Sequence, residues 1–175
     1  MTTVFCGATT NSLSPIISTN AVLLILGTMP GIKSLERGQY YSHPQNTFWD
    51  IMEQLCGAGK GLEYDTRVHI LQREGVALWD VLEYCDRTGS LDSKIRNEKP
   101  NDFNRLLRTY PNIKTILFNG KKAEKLFRRH VWPILSSSTQ ARIVLVTLPS
   151  TSPANTQLTK AEKIENWLEV LRNLS

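Results

Sequence analysis

Cysteine is scarce in this 175-residue chain, and the three present, Cys6, Cys56 and Cys85, lie far apart. No Cys-x-x-Cys pair and no Cys/His cluster with metal-ligand spacing occurs. That speaks against a disulfide framework or a structural metal, and for reduced thiols in a cytoplasmic protein. Long apolar runs are missing as well. Nothing approaches the ~20 residues that span a bilayer, and no basic segment leads into an apolar signal core. Secretion and membrane insertion are therefore not expected. The chain also lacks the glycine patterns of dinucleotide and P-loop sites, so no nucleotide cofactor is expected. No internal repeat is visible. One domain over 1–175, with an irregular lead-in at 1–20, is the expected organisation.

The rest of the composition is that of an ordinary globular protein, 41% hydrophobic and 21% charged. A net charge of +5 favours a polyanionic partner such as nucleic acid, although many basic proteins bind none.

Apolar runs and helical periods alternate along the chain. Val22 to Leu26 reads as a buried strand, and Thr47 is placed to cap a helix running to about Cys56. A second helical pattern covers about Tyr64 to Glu74, followed by a strand from Gly75 to Asp80. The segment Cys85 to Pro100 shows no sustained period and reads as a surface excursion. Asn101 or Asp102 can cap the next helix. Ile113 to Phe118 is the third strand, Lys121 to about Leu135 a basic amphipathic helix, Arg142 to Leu148 the fourth strand, and Lys160 to Leu174 the closing helix. Strands separated by helices predict an α/β fold, with a mainly parallel sheet of about four strands between two helical layers. Such a sheet delivers its strand ends to one edge, where ligands bind.

That edge gathers the most informative stretch, Gly27 to Trp49, GTMPGIKSLERGQYYSHPQNTFW. It offers glycines for close backbone approach, tyrosines to stack on a flat ring, and amide and imidazole groups to hold a water. These groups suit a planar heterocycle better than a phosphate alone. Asp80, Asn119-Gly120 and the loop Pro149-Ser150-Thr151-Ser152-Pro153-Ala154-Asn155 arrive at the same edge. Read locally, each residue has a plainer role. Asn46 can brace the helix start, Tyr41 can pack in the loop, His43 can stabilise the turn before Pro44, Asp80 can cap a helix or pair with Arg87, and the Pro149 loop can be a simple turn.

GTMPG, YYSHPQNTFW and TLPSTSPAN, in that order, resemble signature motifs of the uracil-DNA glycosylase superfamily, most closely its hypoxanthine-DNA glycosylase branch. The likeness extends through WDVLEYCDRTGSLDSKI and FNG, over roughly residues 20 to 170. Met29 departs from the Asn or Asp that other branches carry in the first motif, and Leu148 from the His that several place before Pro-Ser. Neither replacement can do the polar work of the residue it stands for.

The resemblance implies a three-layer α/β/α sandwich and a monofunctional DNA glycosylase acting on a deaminated base, hypoxanthine before uracil. It implies Asn46 and His43 at the reacting water, with Thr28, Met29, Pro30, Gly31, Tyr41, Asp80 and Asn119 around the base. Pro149 to Asn155 would hold the DNA, with Pro153-Ala154-Asn155 entering the gap left by the base. No metal or organic cofactor is implied, and a monomer acting on double- or single-stranded DNA is expected. The alternatives are a uracil- or mismatch-specific glycosylase of the same fold, a non-catalytic lesion-binding protein, and a small-molecule nucleosidase.

Overall fold

The computed structural model describes residues 9–174, so Cys6 and most of the expected lead-in's first half lie outside the described residues. Four parallel strands form the centre: β2 (Leu23–Gly27), β3 (Val76–Asp80), β6 (Thr115–Asn119) and β7 (Val144–Leu148), in the spatial order β3-β2-β6-β7. Their registers pair Gly27 with Asp80 and Asn119 with Leu148, so all four carboxyl ends reach one edge. Chain order reverses direction at β2, the arrangement that opens a crevice outside the strand ends.

Alternation along the strands sorts the core into two layers. Leu24, Leu26, Ala77, Ile116 and Phe118 pack on one face with Phe103, Leu106 and Leu107 of α4 (Phe103–Thr109) and with Ala123, Leu126 and Phe127 of α5 (Lys121–His130). Ile25, Val76, Leu78 and Leu117 pack on the other. There they meet Phe48, Ile51 and Met52 of α2 (Phe48–Cys56), Leu71 of α3 (Tyr64–Arg73) and Trp167, Leu168 and Leu171 of α7 (Lys160–Leu174). The result is the three-layer α/β/α arrangement with a four-stranded parallel sheet.

Several local expectations are corrected. The segment 85–100 is no bare excursion. β4 (Leu82–Asp86) and β5 (Arg96–Pro100) pair antiparallel, and β1 (Thr9–Asn11), inside the supposedly irregular lead-in, adds a third strand. Their pairing holds despite exposed, charged faces, which is why no hydrophobic period marked them. α1 (Ile32–Arg37) lies within the long loop after β2, and α6 (Ser137–Arg142) takes Arg142 from the expected fourth strand. The basic helix stops at His130 because Pro133 follows, and a 3-10 turn over Trp132–Ile134 carries the chain on. Asp102 does cap α4, accepting from the Arg105 amide. Thr47 does not cap α2 with its side chain; the Asn46 side chain takes the first amide instead.

Candidate active site

The carboxyl edge of the sheet holds a cavity of about 740 Å³. Every expected site residue lines it except Pro149, whose carbonyl instead accepts from Trp167 Nε1 at 2.8 Å. Gly27 closes β2 at its inner end. A Cβ there would sit 2.6 Å from Asp80 Oδ1 and 3.4 Å from the Tyr41 hydroxyl, so the missing side chain is what allows both groups to converge. Thr28 to Gly31 run on from it. The Met29 side chain turns away into the hydrophobic core beneath, 7% exposed, consistent with a backbone role at the cavity.

Asn46 is 9% exposed, and its Oδ1 accepts from the Phe48 amide at 3.0 Å. The helix-bracing role is thus real, and the same side chain lines the cavity. Among the described residues one lone pair of Oδ1 and the Nδ2 hydrogens stay uncommitted. His43 Nδ1 accepts from the Gln45 amide at 3.2 Å, which puts the proton of the neutral ring on Nε2. Tyr41 stacks on Phe48, ring centroids 4.0 Å apart. Its backbone holds φ 55°, a left-handed conformation that costs a bulky residue ~1–3 kcal/mol and persists only where packing enforces it. Tyr40, next to it, also lines the cavity, while its buried hydroxyl donates to the Leu13 and Ser14 carbonyls.

Asp80 is 3% exposed, and among the described residues its Oδ2 has no hydrogen-bond partner; the Tyr41 hydroxyl makes no well-formed hydrogen bond there, although the Asn119 side chain lies close enough to favour its charged form. Burial first, then the Asp92 carboxylate, pushes the Asp80 pKa up to about 8, against the pull of Arg87. Burial likewise raises Tyr41, which Asp80 reinforces. The Arg87 pairing suggested by sequence is absent. Arg87 instead donates to the Pro30 carbonyl and lies 3.8 Å from Asp92.

On the opposite wall Asn119 holds the Thr151 loop. Its Nδ2 donates to Thr151 Oγ1 at 2.9 Å and its Oδ1 accepts from the Thr151 amide at 2.8 Å. Thr47 adds its amide and hydroxyl to the Thr151 carbonyl. Thr151 is 0% exposed. With all its polar groups engaged, it braces the loop from inside and has no surface to offer DNA. Gly120, at φ 100°, approaches the loop closely: a Cβ would meet the Ser150 Cβ at 3.0 Å. Ser150 and Ser152 Oγ each accept a backbone amide within the loop, leaving their O–H groups to donate outward. Lys163, buried on α7, fixes the loop through the Ser152 carbonyl at 2.9 Å.

The wall formed by residues 86–92 was missed in sequence, although Ser90, Leu91 and Asp92 line the cavity with Ile32 and Lys33 of α1. The only sequence signal for it was the likeness through WDVLEYCDRTGSLDSKI. Among the described residues no group of acidic, His and Cys side chains is arranged to hold a metal, and no helix is long and apolar enough to cross a membrane.

A doubly covered parallel sheet thus carries at its carboxyl edge one cavity where four loops and the Tyr41 ring meet. The profile described as the uracil DNA glycosylase superfamily matches residues 14–174, and the chain belongs to that superfamily. It is 36% identical over 159 residues to a hypoxanthine DNA glycosylase of Methanosarcina barkeri and 34% identical to one of Methanosarcina acetivorans, in each case over 90% of this chain and 95% of the relative. The solution NMR structure of a candidate uracil DNA glycosylase from Methanosarcina acetivorans superposes with a TM-score of 0.77 at 31% identity, covering 95% of this chain and 99% of that one.

Proposed function

We propose that this protein is a monofunctional DNA glycosylase that removes a deaminated base, hypoxanthine, from DNA and leaves an abasic site. The observation that carries the reading is the convergence of Asn46, Tyr41 and Asp80 on one cavity in a chain whose relatives bear that name.

Breaking an N-glycosidic bond leaves positive charge on the sugar and negative charge on the departing base, so the base must leave the stack and sit in a fitted pocket. In this reading Tyr41 lies against the flipped base, backed by Phe48; such stacking contributes ~1–3 kcal/mol per base. The backbone of Thr28, Met29 and Gly31 lines the base, and Asp80 reads its polar edge. Asn46 is too weak a base to take a proton, so it orients the water, while His43 Nε2–H donates to the sugar, a phosphate or that water. Asn119 holds the far wall, and Ser150 and Ser152 donate to phosphates. The lysine at the cavity, Lys33, stands exposed on the rim. Borohydride is therefore expected to trap no covalent adduct. The enzyme works as a monomer, without metal or organic cofactor, and the free thiols Cys56 and Cys85 fit a reducing, cytoplasmic setting.

Oligonucleotides carrying one deoxyinosine, deoxyuridine or deoxyxanthosine, treated with alkali after reaction, test this reading. Inosine is the expected substrate, and Asn46→Ala is expected to lose on the order of 10²–10³-fold in rate while still binding DNA. Release of uracil alone would move the protein to the uracil-specific reading. Binding without any cleavage would remove the catalytic one.

A further inference from the structure

The turn that carries His43 and Asn46 is gripped from outside the cavity by a lysine. His43-Pro44-Gln45-Asn46 closes as a β-turn, the Asn46 amide donating to the His43 carbonyl at 2.9 Å. Pro44 fixes its own φ but leaves open the tilt of the peptide that follows it. That tilt is set at both ends of the peptide. The Gln45 amide donates to His43 Nδ1 at 3.2 Å, and the Pro44 carbonyl accepts from Lys60 Nζ at 3.0 Å.

The chain around Lys60 places it for this contact. Gly57, in a left-handed conformation, ends α2 and turns the chain back, and Ala58 is fully buried. Gly59 lies so close to the helix that a Cβ would meet the Glu53 side chain at 2.5 Å. Lys60 then reaches the first turn of α2, where Asp50 Oδ2 accepts from it at 2.7 Å. Asp50 Oδ1 accepts from Lys160 Nζ at 2.8 Å, so one carboxylate stands between two ammonium groups. Exposed ion pairs of this kind add little to stability. What sets Lys60 apart is that two of its three donors are spent on the protein, one of them on the backbone of the turn. A lysine kept for DNA phosphates would hold its ammonium out in solvent.

We propose that Lys60, held by Asp50, is a positioning residue for excision: through the Pro44 carbonyl it fixes the turn that aims Asn46 and His43 at the reacting water. The assignment rests on the glycosylase reading. With the Pro44-Gln45 peptide held, the His43 ring keeps Nδ1 on the Gln45 amide and its proton on Nε2. The Asn46 side chain, bonded to the Phe48 amide, follows the turn at its other end. Lys60 itself takes no part in the reaction.

The test measures three quantities: single-turnover excision from a deoxyinosine duplex at saturating enzyme, the dissociation constant for that duplex, and the nitrogen NMR signals of the neutral His43 ring. Lys60→Met is expected to slow excision about tenfold, because a reacting group displaced by a fraction of an ångström already costs rate. Its dissociation constant should stay within about twofold of wild type, and the single His43 tautomer should become a mixture. Lys60→Arg, whose guanidinium can bond both the carbonyl and Asp50, should restore most of the rate and the single tautomer. Lys160→Met removes Asp50's other partner and leaves Pro44 alone, so it should excise within about twofold of wild type. Weakened binding at an intact rate, with a shallower salt dependence, would make Lys60 a phosphate contact and overturn the positioning role. An unchanged rate in Lys60→Met, or an equal loss in Lys60→Arg, would overturn it as well. A wild type that excises nothing would instead remove the glycosylase reading beneath it, while a His43 tautomer that still answers to Lys60→Met would leave the grip on the turn standing.

Discussion

The two walls of the cavity treat their polar groups in opposite ways. On the wall built from β6, the start of α2 and the loop after β7, Asn119, Thr47 and Thr151 bond to one another with little left over. On the wall built from β2, β3 and residues 86–92, the Tyr41 hydroxyl, Asp80 Oδ2 and two nitrogens of Arg87 are buried without a well-formed hydrogen bond among the described residues, Arg87 Nη1 having only the Asp92 carboxylate at 3.8 Å. An unmet buried polar group costs ~1–3 kcal/mol, so it persists only where something compensates. In the proposed function the satisfied wall holds geometry, and the unsatisfied wall keeps its bonds for an incoming base. Asn46 belongs to both, with its oxygen bonded to the start of α2 and its Nδ2 without a partner among the described residues.

The sharpest way to break this division is Gly27→Ala. The new methyl group would displace the Asp80 carboxyl from 2.6 Å, and a misplacement of about 1 Å at a reading group is expected to lower excision on the order of 10²-fold. Circular dichroism should show the fold retained. Wild-type rates in that variant would mean that Asp80 plays no part in binding the base.

Asp80→Asn tests the unsatisfied wall through pH. With a folded pKa of about 8, above the ordinary carboxylate value near ~4, Asp80 binds its proton more tightly in the native state. Wild-type stability contributed by this group is therefore intact below the ordinary value and declines as pH rises toward about 8. The asparagine variant cannot titrate there, so its advantage in denaturant melts should grow between those limits and then level off. Parallel pH profiles for the two proteins would contradict the burial argument.

Thr151→Val tests the satisfied wall. Loss of the oxygen that accepts from Asn119 should cost about 1–3 kcal/mol by urea titration, with excision reduced only severalfold. Activity abolished at unchanged stability would place Thr151 in the chemistry. The smallest effect is expected from Tyr41→Phe, which deletes a hydroxyl with no well-formed hydrogen bond among the described residues and should change stability by no more than about 0.5 kcal/mol. Tyr40→Phe removes a hydroxyl that donates to two carbonyls, and should cost more in the same melt.

Much of this architecture was legible in residue order. Val76 to Asp80 and Thr115 to Asn119 are short apolar runs ended by polar residues, and Ile164, Trp167, Leu168 and Leu171 recur at helical spacing, because burial on one face leaves that trace. β4 and β5 left none: their residues are largely charged and half in water, and they exist through pairing with each other and with β1. The cavity wall they support was hidden for the same reason. The corrected cap at α2 is a further case. Asn46 and Thr47 are equally good local candidates, and the choice fell to Asn46 once Thr47 was drawn to the Thr151 carbonyl, 104 residues away.

Chain order alone determined the parallel sheet, its two helical layers and the four loops that reach its carboxyl edge, since those depend on hydrophobic period and the handedness of connections. Only the tertiary structure decided which polar groups are spent and which are free. That outcome depends on distances between segments far apart in the chain, such as Gly27 with Asp80 and Asn119 with Thr151. No local pattern records whether a buried oxygen has found its partner.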